Sequence, residues 1–196
     1  QLYNRMKRKL DQLKNLTSNA QIWLPIIERA LYQPEYMENL SQCFLVLQKL
    51  EEMFMMGIKT EESRKIRQRI FRYLGGHKII LEMLRKGILI FDTYIDVYRN
   101  NDPKISEKYR LETAQDIIEL FKKLHMVLAM FCHKNQSYQY FVYDKFLSAL
   151  VLQNKIDIGQ IDLINEMFSG NPGLAQMVPE QRLKFFCQLI AEHGKK

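Results

Sequence analysis

Turn-forming residues are scarce. The 196-residue chain holds eight glycines and five prolines, too few for a β-sandwich, which needs a turn roughly every ten residues. No run alternates apolar with polar residues for long, so the mark of half-buried strands is missing too. Cysteine is sparse: Cys43, Cys132 and Cys187 are odd in number, far apart, and each sits beside a phenylalanine in an apolar helical pattern. That usage predicts buried free thiols in a reducing compartment. Charge interrupts every apolar stretch before the ~18 residues that a membrane span requires, and the opening residues show no signal-peptide pattern. The expectation is a soluble, cytosol-facing segment that makes no membrane contact. Asn15, Asn39 and Asn135 match glycosylation acceptors. The last two fall within or at the start of helical patterns, and all three are read as chance matches.

The chemistry of an enzyme is missing as well. His125, Cys132 and His133 are near in sequence, but His125 and Cys132 lie seven apart on an inward stripe, without a second ligand pair at zinc spacing. A nucleophilic Cys132 would need an orienting third group and an exposed electropositive setting. Asp92, Asp96 and Asp102 lack the order of a calcium-binding loop, and Gly75-Gly76 is not followed by the Lys-Ser or Lys-Thr of a phosphate loop. No catalytic residue, metal site or cofactor is expected.

What is present is helix after helix. At 47% hydrophobic and 26% charged, the chain is too apolar to be disordered. Apolar residues three and four apart mark helices from Leu2 to Leu13, Trp23 to Leu31, Leu40 to Phe54, and Thr60 to Leu74, this last carrying Ile66, Ile70 and Phe71 up to Gly75-Gly76. A fifth helix runs from His77 to about Lys86 and stops at Gly87. Residues 88–104 continue it or form an ordered loop. Ser106 opens the longest helix, whose stripe is Ile117, Leu120, Phe121, Leu124, Leu128 and Phe131. Further helices carry Phe141, Val142 and Phe146, then Ile161, Ile164 and Phe168, and finally Leu183 and Phe186 after Pro179. Short helices joined by short loops, with neither a heptad nor a strict repeat, predict an all-α, armadillo-like solenoid of about nine helices, a right-handed stack of helical pairs.

Three blocks go further: "RKIRQRIFRYLGGHKIILEMLRKG" at 64–87, "FCHKNQSYQYFVYDKF" at 131–146, and "INEMFSGNPGLAQMVPEQRLKFFCQLIAEHGKK" at 164–196. Through Arg72, Leu74, Gly75, His77, Phe131, Cys132, Asn135, Gln136, Gln139, Asn171, Leu174, His193 and Gly194 they resemble a domain of the intracellular calcium-release channels, the inositol trisphosphate and ryanodine receptors. His193-Gly194-Lys195 is closer to the inositol trisphosphate receptors. The resemblance covers residues 60–196, with residues 1–59 read as the preceding helices of the solenoid. It departs at 88–112, which is longer and more aromatic and suggests a distant member. It implies a cytosolic scaffold and conformational relay at the endoplasmic reticulum, in contact with other domains and subunits of a tetrameric channel. The ligand-binding residues of the family lie upstream, and none is carried over.

Two groups of residues are candidate sites. Phe131, Cys132, Asn135, Gln136 and Gln139 are read with the resemblance as a hairpin in which Phe131 interlocks with Phe141 or Val142, Asn135 caps a helix and the glutamines bind carbonyls of a neighbouring pair; on the residues alone, Asn135 and the glutamines read more simply as solvated turn residues. Arg64, Lys65, Arg67, Arg69 and Arg72 put five cations in nine residues with no acid among them, on a chain of net charge +7. A solvated helix face explains such a run. Alternatively, it meets an acidic protein surface or a phosphorylated ligand, which would suit a free-standing helical adaptor. Nucleic acid is not expected, because the aromatics lie on buried stripes instead of interleaving the cations.

Overall fold

The computed structural model describes residues 1–18, 35–56, 60–99, 107–151 and 158–193. The helix expected at 23–31, Asp102, Ser106 and Gly194 lie outside the described residues. Among the described residues there are nine helices and no strand: α1 (Leu2–Ser18), α2 (Glu35–Met55), α3 (Glu61–Tyr73), α4 (Gly76–Arg99), α5 (Glu107–Cys132), α6 (Gln136–Val151), α7 (Gln160–Phe168), α8 (Pro172–Met177) and α9 (Glu180–His193).

Local chemistry sets several of these boundaries. Thr60 caps α3 by accepting the Ser63 amide at 3.2 Å, with Glu61 and Glu62 in the first turn and Arg72 in the last, as the helix dipole favours. Gly75, at φ +74°, takes the left-handed turn that ends α3. Its neighbour Gly76 serves packing instead: it opens α4, and a Cβ there would overlap the Phe71 ring.

Gly87 does not end the fifth predicted helix. α4 runs through it to Arg99, which settles residues 88–99 as helix and puts Asp92 and Asp96 on it. A Cβ at Gly87 would overlap the Phe121 ring of α5, so the glycine is there for close approach between two helices. α8 is likewise a helix of its own, begun by Asn171 and Pro172, where the sequence suggested only a break.

The helices stack in two rows. α2 packs on α5 and α5 on α7; on the other side α3 packs on α4 and α4 on α6. Two hairpins, α2/α3 and α5/α6, turn from one row to the other, with α4 inserted after the first, and α8 packs on α7. α1 covers α2, and α9 packs on α7. This is the all-α solenoid of helical pairs, and its core runs the length of the stack through Leu47, Leu50, Phe71, Leu84, Phe121, Leu124, Leu128 and Phe131. The α5 stripe is buried throughout. A largely buried Glu51–Lys123 ion pair ties α2 to α5.

Burial is incomplete at the edges. Cys43 and Cys132 are buried free thiols, but Cys187 is exposed. Ile66 is 42% exposed and Leu183 38% exposed. Both lie on helices with only part of their circumference covered, so helical spacing alone overstates their apolar arc.

Candidate functional site

The α5–α6 turn is built from "CHKNQ". Cys132 ends α5, Lys134 takes a left-handed conformation at φ 49°, and Asn135 starts the next helix. The Asn135 side-chain oxygen accepts the Tyr138 amide at 3.3 Å, and its NH₂ donates to the Gln68 side-chain oxygen at 3.1 Å. Gln68 comes from α3 and is fully buried. Its own NH₂ donates to the carbonyls of Met130 (3.2 Å) and His133 (2.9 Å). Carbonyls at a helix C-terminus have no partner inside the helix. A primary amide offers two N–H groups and an oxygen, so one glutamine satisfies two carbonyls and still receives the asparagine.

The same device recurs one pair later. Gly170 takes the left-handed position at φ 66°, and Asn171 caps α8 by accepting the Leu174 amide at 3.2 Å. Its NH₂ donates to Gln139 at 3.0 Å, while Gln139 donates to the carbonyls of Glu166 (2.9 Å) and Ser169 (3.0 Å). In both cases the glutamine belongs to the second helix of one pair and clamps the turn of the next. Gln136 adds a bond to the Gly170 carbonyl at 3.1 Å, and His133 Nδ1 lies 3.0 Å from the Glu166 carboxylate. Sequence reasoning singled out Asn135, Gln136 and Gln139 but missed Gln68 and did not give Asn171 this role.

Aromatic rings reinforce the first joint. Phe131 stacks on Tyr138 with centroids 4.5 Å apart and on His77 at 5.4 Å, and meets Phe71 at 5.5 Å. The ring partner of Phe131 across the hairpin is Tyr138, because the cap at Asn135 sets Tyr138 in the first turn of α6. Phe141 instead meets His77 edge-on at 5.1 Å. Burial in this apolar surround, with Lys78 and then Arg72 adding positive charge, pushes the His77 pKa down to about 4. Cys132 is fully buried and its thiol donates to the Ala129 carbonyl at 3.4 Å. Burial drives its pKa far up, the reverse of what a nucleophilic thiol requires.

The five cations separate. Arg67 turns back and donates to Met53 (2.8 Å) and Met56 (2.6 Å), closing the C-terminal end of α2. Arg64 is largely buried, 3.5 Å from Glu61. Lys65, Arg69 and Arg72 remain on the surface, bordering an open cleft with Glu62, Asn135, Ser137 and Tyr138. Arg72 lies over the Tyr138 ring, 5.1 Å from its centroid.

Among the described residues, three or more His, Cys, Asp or Glu side chains nowhere gather as a metal would require, and no helix is long and apolar enough to cross a membrane. His125 is buried, with Nδ1 2.8 Å from the Phe121 carbonyl.

No solved structure matches the chain. Its sequence matches the RIH domain over residues 36–196, a segment that takes in α2 through α9 and both glutamine clamps. The chain therefore belongs to the RIH domain family, the homology domain of ryanodine and inositol trisphosphate receptors and a structural domain of intracellular calcium-release channels.

Proposed function

We propose that this segment is a scaffold and conformational relay in the cytosolic solenoid of a ligand-gated calcium-release channel. It carries movement between the ligand-binding and pore regions and packs against other domains and subunits of a tetramer at the endoplasmic reticulum. The His193-Gly194-Lys195 ending favours the inositol trisphosphate receptor type. One observation carries the reading most: two successive buried clamps, Gln68 and Gln139, each fasten one helical pair to the turn of the next. Apolar burial is non-directional, so by itself it fixes the register between pairs less sharply than directed hydrogen bonds do. A buried amide network that is lost when the pairs separate makes them move together, because unpaired buried polar groups are expensive.

The test belongs in the full channel. Gln68→Leu and Gln139→Leu should leave ligand affinity in place and lower the open probability at saturating ligand. Normal gating in a correctly assembled channel carrying both substitutions would refute the relay. The 196-residue segment itself should show no submicromolar binding of inositol trisphosphate by calorimetry at physiological salt; such binding would assign it to ligand capture instead.

A further inference from the structure

Lys65, Arg69 and Arg72 fall at i, i+4 and i+7 on α3 and therefore share one stripe of that helix. With Glu62 they make one wall of a cleft whose other wall is Asn135, Ser137 and Tyr138 at the start of α6. The cleft lies where one helical pair meets the next, the position at which solenoids present grooves to partners. Two of its cations already hold carboxylates: Lys65 pairs with Glu61 at 2.8 Å and Arg69 with Glu62 at 2.7 Å. These four side chains are 47–65% exposed, so the pairs are worth little and can exchange. Among the described residues Arg72 makes no ion pair; it is held in place by the Tyr138 ring.

We propose that this cleft docks an acidic segment of a partner protein, whose carboxylates, one helical turn apart, take Lys65 and Arg69 from Glu61 and Glu62 and engage Arg72. The spacing of the cations along a helix matches carboxylates presented by a second helix. The openness of the cleft argues for a protein surface, since small-molecule sites enclose most of their ligand. Nucleic acid fits poorly: the Tyr138 ring is engaged by Phe131 at 4.5 Å and by Arg72 at 5.1 Å, and is not presented to a base. Glu61 and Glu62 then act as internal competitors that set a threshold for the acidity of the partner.

Fluorescence anisotropy with the 196-residue chain tests this, using a labelled helical peptide with glutamates one turn apart, at low and at physiological salt. Binding should saturate. Lys65→Gln with Arg72→Gln should weaken it about tenfold, as expected for the loss of two exposed charge pairs. Lys7→Gln with Lys184→Gln, the same charge change outside the cleft, should leave it in place, and Glu62→Gln should strengthen it. Glu62→Gln removes no cation, so it keeps the test open if the first double variant fails to fold. Equal weakening by the two double variants, unsaturable binding, or binding of a phosphoserine peptide but not the acidic one would overturn the proposal. The measurement reads peptide capture and not gating, so it stands or falls separately from the relay.

Discussion

Phe131 touches Phe71, His77 and Tyr138, rings from three helices. Phe131→Ala should therefore cost about 3–5 kcal/mol, the lost transfer energy plus the cavity left behind. Cys132→Ala, next to it and equally buried, should cost much less, because a buried free thiol acts as a small apolar group. Denaturant midpoints at constant m-value would rank the two. The reverse ranking would mean that the stack is not a packing joint. His77 gives a second test, in pH. Its folded pKa lies near 4, against 6.5 for the free side chain, so below pH 6.5 the unfolded state binds the extra proton. Stability should fall as pH drops from about 6.5 to about 4, and the contribution of His77 should be fully present above that window. His77→Phe keeps the aromatic packing and removes the proton site. The difference in stability between wild type and variant should track that window and be flat above it. A difference independent of pH would show that His77 is not held neutral by its surroundings.

At the scale of elements, Gly87 separates propensity from packing. Alanine is better than glycine in a helix interior by about 1 kcal/mol, yet the added Cβ would meet the Phe121 ring. Overpacking of this kind costs about 1–3 kcal/mol, so Gly87→Ala should be neutral to destabilising, read by thermal melts. Clear stabilisation would show that α4 and α5 have room to separate. The same residue marks the limit of reading helices from sequence. Periodicity finds the long amphipathic α5 because its stripe is apolar along its length, and it finds α3 because Thr60 and Gly75 carry start and stop chemistry of their own. It cannot tell a glycine that ends a helix from one that admits a neighbouring ring, since that depends on Phe121, 34 positions away in the chain. Asn135 was legible as a cap because a cap acts within a few residues. Gln68 was not: it lies between Arg67 and Arg69, and its partners Met130, His133 and Asn135 are more than 60 residues on. The one local trace is that both clamped turns place an asparagine directly after a left-handed residue, Lys134-Asn135 and Gly170-Asn171.

Across the whole molecule, the clamps determine how stability is shared along the stack. In a solenoid each unit has a stability of its own plus a term for its interface with the next, so weakening one interface should loosen one side more than the other. Gln139→Ala leaves the carbonyls of Glu166 and Ser169 and the NH₂ of Asn171 without their partner. At about 1–3 kcal/mol for each buried unpaired group that water cannot reach, and less where it can, a loss of about 2 kcal/mol is expected. That loss should fall on α7 and α8. In hydrogen exchange, amides of 160–177 should then exchange some tens of times faster, since each 1.4 kcal/mol is a factor of ten, while those of α2 change little. Gln68→Ala should act one joint earlier, with its largest effect in the last turn of α5 and the first turn of α6. The two patterns together carry the test, because a chain that unfolds as one undivided unit would respond to either substitution with the same uniform acceleration. Uniform acceleration would mean that the pairs are not separable bodies joined by clamps, and the physical basis for passing movement from pair to pair would be lost.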